Sequence, residues 1–283
     1  MIVLGIETAT PLLGVALVDG RGVAGEYSLR RDRAHAERLL ELIDAVLGQC
    51  GVDRAAVGGV AVSAGPGSFT GLRIGMAAAK AWAFGTGAAF CAVPTLDALA
   101  HQAGALGVAG TARVAGAAAG AGTLCPVINA RRGQVYYALY PVGASTTGAS
   151  AAGAAAAAPP TTALSAATPA AAAVPAATTP AGLLEVLAAI PGTLYLCGDG
   201  LWQDGFEDAT RRALGERLVR LDATFDLPRA GAVAALGRRR LLAGRADDPY
   251  AAAPVYVAIP AAQPFSRPAP GAKRRGGGGG ARG

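Results

Sequence analysis

The stretch "IVLGIETATPLLGVALVDG", residues 2–20, contains two apolar runs separated by a short polar turn. Residues 2–7 have the composition of a buried strand, and residues 14–19 have that of a second one. An Asp-Gly pair at 19–20 predicts a tight turn into a third strand at 23–29. Three successive strands joined by short turns predict an antiparallel meander.

Helices and strands alternate over the next part of the chain. The pattern predicts a helix at 34–51, a strand at 57–63, a helix at 71–85, a strand at 88–93 and a helix at 95–104 with Thr95 as its N-cap. The order βββαβαβα is that of the ribonuclease H-like lobe found in actin, the heat-shock ATPases and sugar kinases. We therefore expect a two-lobed α/β protein whose first lobe covers residues 1–104.

A second and reduced lobe is predicted at 124–226. Three strands are recognisable in it, and residues 143–182 contain no charged or aromatic side chain. Such a segment buries too little apolar surface to offset its conformational entropy, so we expect a disordered insertion there. A helix at 227–244, with Pro in its first turn, is expected to pack on the first lobe.

The positive charge of the chain is concentrated at one end. Five of the basic residues lie in a predicted disordered tail, residues 261–283, and removing them from the net charge of +6 leaves +1. This tail has the charge to contact nucleic-acid phosphates without sequence preference, although a solvated end is the simpler interpretation. The sequence has neither a secretory signal nor a bilayer-length apolar run, so we expect a cytoplasmic protein without membrane contact.

The turn Glu7–Thr10 is a candidate phosphate site. In lobes of this class the corresponding turn holds a carboxylate and hydroxyls against phosphate and a hydrated Mg²⁺, a cation that prefers oxygen ligands. Glu7 supplies the carboxylate, and Thr8 and Thr10 supply the hydroxyls. The alternative is a structural turn whose hydroxyls bond their own backbone.

The turn "GPGSFTG", residues 65–71, is a second candidate. Gly65 and Gly67 permit positive φ angles, and Ser68 precedes a predicted helix whose first N–H groups favour an anion. The turn is not a Walker A loop, because that motif requires a Lys and a hydroxyl residue after its last Gly. Arg73 has the charge to hold a phosphate there, or to pair with a neighbouring acid.

Metal and nucleophile chemistry have little support in the sequence. The two histidines, His35 and His101, are far apart and lie in no HxxxH or HExxH pattern. Ser63 and Ser68 lack the surrounding pattern of a nucleophile elbow. We therefore predict no catalytic residue, no metal and no cofactor.

Two of the predicted helices carry apolar surface beyond what a single sheet requires. The helix at 71–85 is interrupted only by Arg73 and Lys80, whereas a helix that covers a sheet is normally polar on its other face. We predict a partner interface here, with burial under the second lobe or the tail as the alternative. The candidate interface residues are His35, Leu39, Leu42, Val46, Gly71, Gly75, Ala78, Ala79 and Trp82.

Four segments together resemble the bacterial TsaB (YeaZ) family. These segments are "LGIETATPLLGVALVDG", "SAGPGSFTGLRIGMAAAKAWAFG", "VPTLDALA" and "VINARRGQVYYALY". The resemblance covers residues 1–100 densely and 124–141 well, and it excludes the insertion and the tail. Glu7 departs from the Asp that many relatives have, which puts a vestigial Mg²⁺ role in doubt.

The resemblance implies a non-catalytic subunit. Members of this family pair with TsaD, the subunit that forms N6-threonylcarbamoyladenosine on tRNAs reading ANN codons, through the first two helices of the N-terminal lobe. A TsaE-like ATPase joins them, and a homodimer is also possible. On this basis tRNA contact is indirect or made through the tail. An independent ATPase or kinase of the same fold, and a glycoprotease-like peptidase, are the two alternatives.

Overall fold

The computed structural model describes residues 1–30, 35–104, 122–142, 164–165, 168–169 and 174–257. These residues form two lobes, each built on a mixed sheet with helices against it. The predicted ribonuclease H-like α/β architecture is confirmed. No helix in the described part of the chain is both long and apolar enough to cross a bilayer.

The sheet of the first lobe contains five strands in the order β3-β2-β1-β4-β5. Its elements are β1 (Ile2–Glu7), β2 (Leu12–Val18), β3 (Val23–Arg30), α1 (His35–Cys50), β4 (Val57–Gly65), α2 (Phe69–Thr86), β5 (Ala89–Pro94) and α3 (Thr95–Gln102). The strand β1 pairs antiparallel with β2 and parallel with β4. The helices α1 and α2 cover one face of this sheet through a continuous apolar core.

The second sheet repeats the order and the strand directions of the first. It runs β11-β7-β6-β12-β13, with β8 also paired to β6. Its elements are β6 (Gly122–Arg131), β7 (Gln134–Tyr137), β8 (Tyr140–Val142), β11 (Ala176–Thr178), α4 (Pro180–Ala189), β12 (Thr193–Cys197), α5 (Phe206–Leu214), β13 (Leu218–Arg220) and the final helix α6 (Ala230–Leu242). The sequence identifies only three of these strands, because β11 and β13 have three residues each.

The predicted disordered insertion at 143–182 is wrong for its last part. The strand β11 pairs with β7, and α4 begins at Pro180 with Thr179 as its N-cap. Main-chain pairing at a sheet edge requires no large apolar side chain, which is why the composition of this segment gives no signal. The two-residue strands β9 (Leu164–Ser165) and β10 (Thr168–Pro169) also pair with each other, and the rest of the insertion lies outside the described residues.

The helix α6 packs on the face of the first sheet that α1 and α2 leave free. Glycine permits this close approach, since a Cβ at Gly5 would overlap the carbonyl oxygen of Ala230 and a Cβ at Gly237 would overlap the Cβ of Ala61. The N-terminal end of α6 is fixed by the carboxylate of Glu26, which accepts from the backbone N–H of the second helical residue at 3.2 Å.

Residues 245–257 follow α6 and form what we call the C-terminal strap. Asp247 covers the free edge of β5, because its N–H donates to the Phe90 carbonyl at 2.9 Å and its carboxylate accepts from the Ala92 N–H at 2.8 Å. The guanidinium of Arg240 joins the same group by donating to the Ala92 carbonyl at 2.7 Å. Further along, the N–H of Val255 donates to the Ala64 carbonyl at 2.7 Å.

We expect opposite effects from the same substitution at two helical glycines. Gly237→Ala should lower the free energy of unfolding by about 1–3 kcal/mol, because the added methyl has no room against β4. Gly85→Ala is the matched control: a Cβ there meets nothing within 4 Å, so the better helix propensity of Ala should leave stability unchanged or raise it by up to about 1 kcal/mol. Denaturant unfolding of both variants tests this packing, and equal stability of the two would contradict it.

Candidate functional site

Glu7 lies at the carboxyl end of β1 and is fully buried. One oxygen of its carboxyl accepts from the N–H of Ala9 at 2.8 Å and from the N–H of Thr10 at 3.2 Å. The other oxygen contacts the hydroxyl of Ser63 on β4. Both oxygens are therefore engaged by the protein itself.

Burial raises the pKa of Glu7 to about 7, and the hydrogen bonds from Ser63, Ala9 and Thr10 only partly oppose this effect. A carboxyl with this pKa is substantially protonated near neutral pH, whereas a Mg²⁺ ligand has to be ionised. Both of its oxygens are also already hydrogen-bonded inside the protein. The residues present at this turn do not fit a hydrated Mg²⁺.

The glycine-rich turn packs directly onto the Glu7–Thr10 turn. The Ser68 N–H donates to the Ala9 carbonyl at 2.7 Å, and the Thr8 hydroxyl donates to the Gly71 carbonyl at 2.8 Å. A Cβ at Gly67 would overlap the Ala9 carbonyl oxygen. The two predicted phosphate-binding turns are thus in direct contact with each other through their backbones.

The other residues of the predicted phosphate site also have structural partners. The N–H of Gly65, a residue with a φ of 114°, donates to the hydroxyl of Thr95 at 3.1 Å. Thr95 is consequently not the N-cap predicted from sequence, because Pro94 holds that position and makes no side-chain cap. Ser68 is the N-cap of α2, and its hydroxyl accepts from the Gly71 N–H at 3.3 Å.

Arg73 is an exposed residue in the first turns of α2. Its side chain contacts Phe69 and the C-terminal strap, and no acidic side chain pairs with it among the described residues. Its guanidinium lies 3.8 Å from the ring centroid of Phe69, and its Nε donates to the hydroxyl of Tyr256 at 3.1 Å. The Tyr256 ring in turn lies 5.4 Å from the Phe69 ring. The sequence could not indicate this partner, which is 183 residues away along the chain.

Three small residues of the predicted interface, Gly71, Gly75 and Ala79, face the sheet, which corrects part of the predicted interface. Gly71 and Gly75 are buried against Thr8, and Ala79 is completely buried in the core of the first lobe. Small side chains are needed here because α2 lies close to the backbone of the β1–β2 turn. Leu39 and Val46 of α1 are likewise core residues.

Three predicted interface residues remain at the surface between α1 and α2. Leu42, Ala78 and Trp82 are half-buried at the edge of the core. Among the described residues, the indole N–H of Trp82 has no hydrogen-bond acceptor. His35 is the first residue of α1, and its side chain is not among those that the structure describes.

The outer surface of α2 is apolar along most of its length. Phe69 is 54% exposed and Phe84 is 49% exposed. Ala77 and Ala81 are also exposed, while Ile74 is half-buried beside them. Arg73 and Lys80 are the charged side chains of this 18-residue helix.

Metal-binding residues do not converge within the described parts of the chain, where no group of three His, Cys, Asp or Glu side chains has metal-site geometry. His101 lies against Arg239, with 3.1 Å between its Nδ1 and the guanidinium. Burial, followed by this positive charge, lowers the pKa of His101 to about 4. This histidine is therefore neutral at physiological pH.

Sequence reasoning missed a buried polar network in the second lobe. Asp226 is fully buried; its carboxylate accepts from the Gly198 N–H at 2.8 Å, from the Trp202 indole at 2.7 Å and from Arg220 at 2.5 Å. The Trp202 ring is stacked by the Arg30 guanidinium of β3, 4.6 Å from its centroid, so the network also links the two lobes. The glycine turn at 197–200 was its only sequence signal.

The chain matches known proteins over its first half and in its overall fold. The family model described as "TsaD: tRNA N6-adenosine threonylcarbamoyltransferase" matches residues 23–179. The chain is 32% identical over 140 residues to the tRNA threonylcarbamoyladenosine biosynthesis protein TsaB of Bacillus subtilis, and 35% identical over 140 residues to that of Escherichia coli. Each alignment covers 50% of this chain and 55% of the relative, so the chain spans about half the length of these curated proteins.

A solved structure extends the similarity to nearly the whole fold. YeaZ from Pseudomonas aeruginosa superposes with a TM-score of 0.63 at 25% sequence identity, covering 90% of this chain and 99% of that protein. The family model itself spans more than half of the chain. The chain therefore belongs to the TsaD family, within which it is similar to the TsaB (YeaZ) proteins.

Proposed function

We propose that this chain is a non-catalytic subunit in the biosynthesis of N6-threonylcarbamoyladenosine on tRNA. In this proposal it pairs with a TsaD-like catalytic subunit, and a TsaE-like ATPase acts with the pair. The names of the B. subtilis and E. coli relatives support the pathway. The observation that carries the pairing is the apolar outer face of α2.

That outer face has the character of a docking surface. A helix that covers a sheet is expected to expose polar residues on its other side, but the outer side of α2 carries Phe69, Ala77, Ala81 and Phe84. The C-terminal strap covers part of this side, because the Tyr256 ring lies 5.4 Å from the Phe69 ring and the Tyr250 ring lies 4.5 Å from the Phe84 ring. Small exposed alanines allow a second helix to approach closely, since helix axes in packed pairs lie about 8–10 Å apart. The neighbouring helix α1 adds Leu40, which is 65% exposed. A second copy of the chain on the same face is the alternative assembly.

The closed Glu7–Thr10 turn supports the non-catalytic part of the proposal. An ATPase or kinase of this fold needs space for phosphate and an ionised carboxylate at this turn. Here the backbone of Ala9 is in contact with Ser68, and the carboxyl of Glu7 is fully buried. The peptidase alternative gains no specific observation from the structure.

One substitution on the outer face of α2 tests the proposed association. Ala77→Arg places a charge and a long side chain on the outer face of α2, so the variant should remain folded but bind a TsaD homologue at least about tenfold more weakly. Ala188→Arg, at an exposed alanine of α4 in the other lobe, is the matched control and should bind normally. Size-exclusion chromatography and calorimetry measure both, and unchanged binding by folded Ala77→Arg would contradict the proposed face.

A buried position of the same helix should respond differently. Ala79→Arg forces an unpaired charge into the core beside β4, and we expect it to unfold the first lobe rather than only block association. Circular dichroism of the isolated variant is the measurement. If the Ala79→Arg protein were folded and failed only to bind its partner, Ala79 would belong to the partner interface and not to the core.

The proposal also predicts that the isolated chain neither binds nor hydrolyses ATP. Because the Glu7–Thr10 and 65–71 turns fill the phosphate position with their own backbone, the isolated chain should not bind Mg-ATP with micromolar affinity and should not hydrolyse it. Isothermal calorimetry and a phosphate-release assay test this. Turnover by the pure chain that disappears in Glu7→Ala would favour the ATPase alternative.

The buried Glu7 should also give a distinct pH dependence of stability. Its folded pKa of about 7 lies above the ordinary glutamate value of 4.5, so between these pH values the folded state holds a proton that the unfolded state releases. The free energy of unfolding should thus fall as pH rises from 4.5 to 7, by about 3 kcal/mol from this group, and stay level above pH 7.

Glu7→Gln isolates this contribution, because the amide oxygen still accepts from the backbone while the titration is lost. Relative to the wild type, Glu7→Gln should gain about 3 kcal/mol of stability between pH 4.5 and pH 8. Other carboxyls with raised pKa values, such as Asp199, titrate in both proteins and cancel in the comparison. If the free energies of unfolding of both proteins, measured in urea, changed by the same amount across this pH range, the pKa of Glu7 would not be raised in the folded state.

A further inference from the structure

Three exposed arginines of the two lobes lie at the carboxyl ends of parallel strands, whereas the basic tail predicted at 261–283 lies outside the described residues. Arg30 ends β3, which runs parallel to β1 because both strands pair antiparallel with β2. In the second lobe Arg131 ends β6, a strand parallel to β12, and Arg132 follows it in the β6–β7 turn. Ligands of α/β proteins commonly bind outside the carboxyl ends of such strands.

A tryptophan with a fixed orientation follows β12 at the same end of the second sheet. The indole N–H of Trp202 donates at 2.7 Å to the fully buried carboxylate of Asp226, which also forms an ion pair with Arg220. Trp202 nevertheless remains 39% exposed, and the guanidinium of Arg30 lies 4.6 Å from its ring centroid. An aromatic ring held rigidly beside a guanidinium plane is a stacking platform for a nucleobase.

The β6–β7 hairpin is hydrogen-bonded to the segment that carries this tryptophan. On one side of the hairpin tip, the N–H of Asn129 donates to the Asp199 carboxylate at 3.0 Å. On the other side, the side-chain amide of Gln203 donates to the Gln134 carbonyl at 2.9 Å. Burial raises the pKa of Asp199 to about 6, and the charge of the nearby Arg131 guanidinium is one of the effects that lower it. The arginines of the tip are therefore held beside the tryptophan segment.

The backbone of the hairpin tip has a conformation that arginine does not favour. Arg132 and Gly133 form the two-residue connection, with φ angles of 51° and 71°, and Arg131 precedes them with a φ of 64°. Hairpin turns with positive φ at both central positions prefer Asn-Gly, because a side chain such as that of arginine is disfavoured in the left-handed region. Neither arginine forms an ion pair with an acid of the described residues. Backbone outliers of this kind are typical of functional sites, and here they point to an external anion.

We propose that Trp202, Arg30 and the two arginines of the hairpin tip bind an unpaired nucleotide of the tRNA substrate, an inference that rests on the proposed function. The base stacks on the indole and guanidinium pair, and Arg131 and Arg132 neutralise the adjacent phosphates. RNA fits better than a free nucleotide, because the arginines come from both lobes and a polynucleotide presents phosphates on both sides of each base.

Two full-length variants that lose the same number of charges test this site. Arg131→Asn/Arg132→Asn removes the arginines of the tip, and Arg21→Gln/Arg245→Gln removes two exposed arginines at the amino ends of the strands of the first sheet. Unmodified tRNA transcript is titrated by fluorescence anisotropy at several salt concentrations. The tip variant should bind tRNA at least about fivefold more weakly at low salt, with a log–log salt slope smaller by about one to two.

The control variant should keep the affinity and the salt slope of the wild type. Asn tolerates the left-handed region, so the tip variant should be at least as stable as the wild type in urea while it binds tRNA more weakly. Equal losses of affinity in the two variants would assign the binding to net charge alone and overturn the proposal. Unchanged tRNA binding by the tip variant would overturn it as well.

The fluorescence of Trp202 gives an independent measure of stacking. The chain contains one other tryptophan, so the titrations use the full-length Trp82→Phe protein. A base stacked on the ring should quench the emission when tRNA is added, and the Arg131→Asn/Arg132→Asn substitutions should weaken this quenching. Saturable tRNA binding without quenching would contradict the stacking site. Equal quenching by AMP at micromolar concentration would assign the site to a free nucleotide and overturn the RNA proposal.

Size-exclusion chromatography with a TsaD homologue separates the RNA site from the proposed function. The tip variant should form the complex normally, because its substitutions lie in the second lobe and outside the face of α2. An intact complex whose tRNA binding does not depend on the hairpin tip contradicts the RNA site alone. Failure of the wild-type chain to form any complex contradicts the proposed function, whatever the tRNA titration gives.

Discussion

The contact between the β1–β2 turn and the first turns of α2 is the constraint on which the rest of the first lobe depends. Thr8 donates its hydroxyl to the Gly71 carbonyl, and glycine at 71 and 75 lets the two backbones approach. This contact closes the turn over Glu7. It also sets the rotation of α2, which buries Gly71, Gly75 and Ala79 together with Leu72 and Met76. Phe69, Ala77, Ala81 and Phe84 are left on the outside.

The rotation of α2 bears on the binding role that we propose for the chain. The β1–β2 turn and the turn at 65–71 lie at the carboxyl ends of β1 and β4, where hydrogen bonds join them. The apolar surface that remains lies on the outside of α2. In the proposed function this outer surface serves association, and the contact between the two turns determines which side of α2 is outside.

The two lobes share one strand order but use it differently. In the first lobe the carboxyl ends of β1 and β4 lead into two turns that contact each other, and the second of these turns leads into α2. In the second lobe the corresponding region holds the buried pair of Asp226 and Arg220, with Trp202 reaching back to Arg30 of the first lobe. The C-terminal strap then returns the chain to the first lobe, where Val255 is hydrogen-bonded to Ala64 and Tyr256 to Arg73.

The sequence alone determined the first lobe, because its strands and helices have strong periodicities and lie next to one another along the chain. The predicted strand at 2–7 coincides with β1, and the helix at 71–85 differs from α2 by two residues or fewer at each end. The sequence also indicated the Glu7 turn and the 65–71 turn as two candidate phosphate sites. Tertiary structure alone decided that these turns contact each other, that Gly75 and Ala79 face the sheet, and that Tyr256 is hydrogen-bonded to Arg73. Periodicity tells which residues share a helix face, but which face is buried depends on backbone approach and on partners more than a hundred residues away.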